Sequence, residues 1–192
     1  MRSSYIDNNY GNVFRALILA QRPKFIVECG ILDGYSTMHI ASALKFNRSR
    51  GTESQFFAFD LWDEYEYKHG KIEDVCSMLN TNGLGKEVQL GNCDAFKIAK
   101  SFLDNSIDFL HMDISNDGDK LIRTLDVWGD KISKNGMIVF EGGSKERDEG
   151  WIKEYGYKPI RHELINNPIV YENWDIQIML PFPSLTLLWR KI

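Results

Sequence analysis

The segment Phe25-Ile26-Val27-Glu28-Cys29-Gly30-Ile31-Leu32-Asp33-Gly34-Tyr35-Ser36 runs from apolar residues to an acidic one, a glycine turn and a helix start. A short apolar run of this kind suits a strand buried on both faces of a parallel sheet. Gly30 can take a backbone angle that side chains disfavour, and Gly34 allows a close approach of the chain. Strand, acidic residue, glycine turn and helix together predict a ligand pocket at the carboxyl end of a parallel strand, where open α/β sheets bind ligands. Glu28 is placed to meet a cationic or hydroxyl-bearing group. The dinucleotide fingerprint G-x-G-x-x-G is absent.

The rest of the chain repeats the alternation. Apolar residues Val13, Leu17 and Ala20, with Phe14 and Ile18, recur at helical spacing from Asn8 to Gln21, and Pro23 ends that helix. Helices are predicted over Ser36–Phe46, Ile72–Asn80, Ala95–Leu103 and Lys120–Ile132, the last stopping near Asn135-Gly136. Strands are predicted at Lys24–Cys29, Gln55–Phe59, Glu87–Leu90, Ile107–Asp113 and Met137–Phe140. Ser144 reads as the N-cap of a final helix carrying Glu146, Asp148 and Glu149. Two apolar runs, Ile176–Leu180 and Leu185–Trp189, flank Pro181-Phe182-Pro183-Ser184 in a hairpin pattern.

Alternating strands and helices imply a doubly wound parallel sheet with right-handed crossovers. The terminal hairpin adds one antiparallel strand near an edge. The 192 residues, 43% of them hydrophobic, suffice for one sizeable core. A single domain over residues 1–192 is therefore expected. It divides into an N-terminal helical segment (1–23), a ligand-binding core (24–143) and a last helix, loop and hairpin (144–192).

A polar group ends each of the five predicted parallel strands: Glu28, Asp60, Asn92 or Asp94, Asp113 and Glu141. Helix capping explains one or two such residues, and a shared site explains all five. The motif E-x-G-x-x-x-G-x-S of Glu28, Gly30, Gly34 and Ser36 resembles the first motif of class I S-adenosylmethionine-dependent methyltransferases. Ile107–Asp113 and Gly136–Glu141 resemble the fourth and fifth strands of their small-molecule O-methyltransferase subgroup, the methyltransferase family 24 type. The resemblance spans nearly the whole chain and is strongest over residues 24–143. It implies a Rossmann-like, seven-stranded, mostly parallel sheet with an antiparallel C-terminal hairpin.

By that resemblance Asp60 accepts the ribose hydroxyls of S-adenosylmethionine in charge-assisted bonds. Glu28, Gly30, Gly34 and Ser36 line its methionine end, Asn92 and Cys93 meet the adenine, and Asp113 lies at the junction of cofactor and acceptor. Bulky Ile31 and Leu32 stand where many relatives carry glycine. Asn116-Asp117 replaces the subgroup's Asp-His, so the role of that histidine does not transfer.

Methyl transfer to a hydroxyl depends on in-line positioning and on removal of a proton. An ordinary carboxylate is a weak base, so two routes stay open. Asp113, Asp117 and Glu141 can hold a divalent ion such as Mg2+ through oxygen ligands, or a histidine accepts the proton. His111 shares a strand face with Asp113, and His162 lies beyond the last predicted helix in a covering loop. Trp62, Tyr65 and Tyr67 are candidates for an acceptor wall, with Glu141–Arg147 and Tyr5–Tyr10 as lid elements. The expected acceptor is a hydroxyl on a sugar or another biosynthetic intermediate. A catalytically silent, cofactor-binding regulatory protein is the competing reading.

The net charge of −4, without a basic stripe, argues against nucleic acid as a partner. No apolar run reaches membrane-spanning length, and the first residues lack the apolar core of a signal peptide. Cys29, Cys76 and Cys93 have no metal-ligand spacing and read as reduced, structural thiols. A cytoplasmic protein is expected, with a homodimer completed through the terminal hairpin.

Overall fold

A computed structural model describes residues 3–67 and 69–191. Met1 and Arg2 of the expected N-terminal segment, Lys68 of the aromatic stretch and Ile192 lie outside the described residues. The strands form one seven-stranded sheet in the order β3-β2-β1-β4-β5-β7-β6, so the expected doubly wound architecture is present. The chain divides into two compact units, Met1–Lys97 and Ile98–Ile192.

In the N-terminal unit, α1 (Tyr10–Gln21) leads to β1 (Phe25–Cys29), α2 (Tyr35–Ser49), β2 (Gln55–Asp60), α3 (Ile72–Thr81), β3 (Gln89–Asn92) and the start of α4 (Ala95–Ile98). β1 pairs with β2 in parallel, and β2 with β3. The buried stripe of α1 is Tyr10, Gly11, Phe14 and Ile18, whereas Val13 and Leu17 are half-buried and Ala20 is exposed. Tyr5 is buried against Tyr10 and Phe14, with ring centroids 5.9 and 5.6 Å away. Tyr5 and Tyr10 of the expected lid segment are thus core residues, while Ile6, Asp7 and Asn9 between them are exposed. β3 begins two residues later than predicted, which places Asn92 inside the strand, level with Asp60.

In the C-terminal unit, β4 (Ile107–Met112) precedes α5 (Gly118–Trp128), β5 (Ile132–Glu141), α6 (Lys145–Arg147), α7 (Ile160–Asn166), α8 (Pro168–Tyr171), β6 (Trp174–Met179) and β7 (Leu185–Arg190). β4 and β5 run parallel, and β7 lies antiparallel between β5 and β6. The predicted helix to Ile132 stops at Trp128, because Ile132 is fully buried and paired with Ile107. Asn135-Gly136 is a register irregularity within β5, not a helix stop. A side chain on Gly136 would strike the Ile107 carbonyl at 2.6 Å. The α7 and α8 helices were not anticipated. Ser144 does accept from the Arg147 N–H at 3.2 Å, as its sequence position predicts.

Candidate active site

The turn after β1 is shaped by the carboxylate that ends β2. Asp60 Oδ2 accepts from the backbone N–H groups of Ile31 at 2.6 Å and Leu32 at 3.0 Å, and Oδ1 accepts from Trp62 N at 3.0 Å. Three acceptor sites are thereby filled, and a carboxylate offers about four. Asp60 is half-buried and level with Asn92, whose amide donates to Glu64 Oε1 at 2.7 Å. Non-glycine residues with positive φ follow both strands, Leu32 at 54° and Trp62 at 50°. Local strain of this kind collects at functional sites. Gly30 and Gly34 take φ of 91° and 80°, as their turn demands.

Glu28 behaves differently. It is fully buried, and its two oxygens accept from Ser36 Oγ at 2.5 Å and Thr37 Oγ1 at 2.6 Å. It ties the end of β1 to the first turn of α2. Burial pushes the neighbouring Cys29 thiol well up, and the charges of Glu28, Asp94, Cys93 and Asp60 add to the effect. A protonated, buried thiol is unreactive. Trp62 is buried and donates Nε1–H to the Gly91 carbonyl at 3.1 Å, while Tyr67 is exposed. Of the expected aromatic wall, Trp62 is core and the Tyr65–Tyr67 edge pair (5.5 Å) stands toward solvent.

In the C-terminal unit, β4 and β5 deliver Asp113 and Glu141 close enough to influence each other's charge. Burial pushes the Glu141 carboxyl up to about 8, with the Arg147 charge opposing and the Asp113 charge adding. Arg147 Nη1 forms a short ion pair with Glu141, and Nη2 donates to the Asn116 carbonyl at 3.1 Å. The guanidinium also lies 4.9 Å from the Trp151 ring centre. Asn116 is fully buried; its amide donates to the carbonyls of Met112 at 2.8 Å and Glu141 at 3.0 Å. Asp117 caps α5 through Lys120 N at 2.8 Å and pairs with the Lys120 ammonium.

Among the described residues no group of three or more His, Cys, Asp or Glu is placed to hold a metal ion. Asp117 faces Lys120 and Glu141 faces Arg147. His111 is fully buried in β4. His162 lies on α7, not in a covering loop, with its side chain 64% exposed beside Glu163. Arg147 is the residue that sequence reading missed. Its signal was a cation three residues after an N-cap, close to Lys145, at the end of a segment read as a lid element and for its acids.

Carboxylates at carboxyl strand ends, a glycine turn and a parallel sheet define the class I methyltransferase arrangement. The chain belongs to the methyltransferase-domain family, whose profile matches residues 27–141. No curated protein matches the sequence. Among solved structures, a methyltransferase from Geobacter sulfurreducens is 19% identical, with 96% of this chain and 79% of that one covered and a TM-score of 0.68. The methyltransferase PaMTH1 from Podospora anserina, bound to S-adenosylhomocysteine, is 17% identical over 95% and 78% of the two chains, with a TM-score of 0.67. The O-methyltransferase TomG from Streptomyces achromogenes, involved in tomaymycin synthesis and solved with S-adenosylmethionine, is 14% identical over 96% and 80%, TM-score 0.68. At these identities the likeness speaks for the fold. Among the described residues no helix is long and apolar enough to cross a membrane.

Proposed function

We propose that the protein transfers a methyl group from S-adenosylmethionine to a hydroxyl of a small molecule, such as a sugar or another biosynthetic intermediate. The observation that carries this reading is the Asp60 carboxylate, fixed by the amides of the turn after β1. Its remaining acceptor capacity suits the ribose hydroxyls. The donor set fits the cofactor: an anionic acceptor for hydroxyls, a glycine turn that brings backbone close, and Asn92 and Cys93 beside it for the adenine. When bound, the cofactor supplies an electrophilic methyl group on a sulfonium.

The chain's own residues supply position and charge. Glu28 holds Ser36 and Thr37 at the start of α2, so the turn from Gly30 to Gly34 keeps its shape. Asp113 is assigned to the acceptor side, where its carboxylate orients the hydroxyl and takes its proton as the new C–O bond forms and the thioether leaves, passing the proton on to water. Neither His111, enclosed in the core, nor His162, on an exposed helix, is assigned the proton. Because Glu141 and Asp117 already bond to Arg147 and Lys120, the reading assigns no step to a divalent ion.

Fluorescence titration with S-adenosylmethionine and with a nicotinamide dinucleotide tests the cofactor assignment. Saturable binding of the first alone is expected, and preference for the second would overturn it. Asp113→Asn should lower turnover far more than cofactor affinity. The enclosed Asn116 and the paired Glu141 favour one second reading, a protein that binds the cofactor without turning it over. Cofactor binding with no product across a broad panel of hydroxyl acceptors would select that reading.

A further inference from the structure

The function proposed above leaves a cavity of about 350 Å3 unused, bordered by α1, α2 and the turn after α3. Arg15, His39 and Lys45 line it together with the polar groups of Asn12, Ser42 and Asn82, and no carboxylate is among the lining residues. In a chain of net charge −4, two cations and a histidine gathered without an acid run against the background. We propose that this cavity binds a phosphate group carried on a small organic molecule.

The donors are held in place but not exhausted. Arg15 Nη1 donates to Ser42 Oγ at 2.5 Å, which fixes a guanidinium that has five N–H groups in all. Lys45 Nζ donates to the Gly83 carbonyl at 3.1 Å, with two further N–H bonds on the same ammonium. The His39 ring is confined by Gly11, where any side chain would collide with it, and by the edge of Tyr35 at 4.7 Å. Burial pushes His39 down and the Arg15 charge pushes it further, so the ring joins the cavity as a neutral hydrogen-bonding group beside the two cations.

Arg forks and Lys point charges are the usual partners of phosphate oxygens. Here they come from two different helices, which a compact multi-oxygen anion bridges better than a single carboxylate. Met38 and Leu84 add an apolar side for a carbon skeleton. The volume lies in the range of small-molecule sites, about 300–1,000 Å3. S-adenosylmethionine carries no phosphate, so this ligand is distinct from the cofactor.

Amide chemical-shift titration of the isotope-labelled full chain, at constant ionic strength, tests the site with inorganic phosphate, glucose 6-phosphate and chloride. Saturable shifts centred on Asn12, Arg15, His39, Ser42, Lys45 and Asn82 are expected, tighter for glucose 6-phosphate. The Arg15→Gln, Lys45→Gln double variant should bind at least tenfold more weakly while retaining its affinity for S-adenosylhomocysteine. Shifts that never saturate, that chloride reproduces, or that map elsewhere would overturn the site. Equal affinity for the two phosphates would overturn the organic ligand and leave the free ion. Should the double variant fail to fold, the shift map of the unsubstituted chain decides alone. Asp60→Ala should leave that map unchanged, which separates failure here from failure of the methyltransferase reading.

Discussion

The turn after β1 and the strand ends of β4 and β5 are both built around buried or half-buried carboxylates, yet they balance charge in opposite ways. Glu28 and Asp60 are met by neutral donors, two hydroxyls and three backbone amides. Glu141 and Asp117 are met by the cations Arg147 and Lys120. Neutral donors leave the negative charge in place and Asp60 open to a further partner. Cations cancel it. The first arrangement suits recognition of hydroxyls and positive charge, and the second suits a rigid wall that does not compete for ions.

The largest break of this contrast is expected at Arg147. Replacing it with Met leaves Glu141 buried without its cation, and where Glu141 is ionised, above about pH 8, breaking a buried pair costs about 3–5 kcal/mol. The cost depends on pH. Burial holds the Glu141 proton up to about 8, against an ordinary value of 4.5. Between these values the unfolded chain has lost the proton and the folded chain keeps it, so rising pH reduces stability. The contribution is fully present below 4.5 and is lost as pH passes about 8. Without Arg147, whose charge opposes that rise, the proton is held more strongly still. Urea unfolding at pH 6 and pH 9 should show Arg147→Met losing much more at the higher pH. An equal loss at both would mean that packing against Trp151, not charge, is what the arginine supplies.

The second break is Asp60→Ala. If the carboxylate meets the ribose, affinity for S-adenosylmethionine should fall by about 1.5–3 kcal/mol, the worth of hydrogen bonds to a charged group. The same variant removes the acceptor for the Ile31 and Leu32 amides, so a thermal melt must accompany the titration. A lower melting temperature with unchanged affinity would restrict Asp60 to shaping the turn.

How much of this was legible in sequence follows from the same contrast. The order of strands and the helices flanking β1, β2 and β4 were readable because apolar runs and glycine turns are local signals. Asp60 and Glu28 were legible as strand-end acids, but their partners were not. Which donor meets a carboxylate is decided by how a turn folds back, as with Ile31 and Leu32 toward Asp60. The acids of the C-terminal unit read as a metal set because their cations, Lys120 and Arg147, sit in later helical turns. The α8 helix carried a usable signal in Asn167-Pro168, an N-cap followed by proline at the first helical position. The α7 helix, seven residues long, is too short to establish a period. The late start of β3 was hidden because Gln89–Asn92 holds a single apolar residue besides its glycine.

A third test puts a carboxylate where the wall has an amide. Asn116→Asp, which restores an acid to this position, removes two donors aimed at the carbonyls of Met112 and Glu141. At about 1 kcal/mol per hydrogen bond the loss should be about 2 kcal/mol, with repulsion added. Calorimetric titration with Mg2+ should show no gain of binding in the variant. Tight magnesium binding would mean that the Arg147 pair yields readily, and that the wall is softer than its contacts suggest.

The smallest effect is expected at Glu28→Gln, and the reason lies in the partners. A hydroxyl is both donor and acceptor, so Ser36 and Thr37 can turn to suit an amide: one still donates to the carbonyl oxygen, the other accepts from the new NH2. At Glu141 the carbonyl oxygen of a glutamine could still accept from Arg147, but the ion pair goes with the charge. Glu28→Gln should therefore cost less than about 1.5 kcal/mol, the upper end for a single neutral hydrogen bond, and Glu141→Gln clearly more. Denaturant midpoints of the two variants, measured side by side at pH 9 where Glu141 has passed its raised value, decide the matter. A larger loss at Glu28 would show that the full negative charge at the end of β1 is itself required to hold the turn, and that neutral donors do not make a carboxylate replaceable.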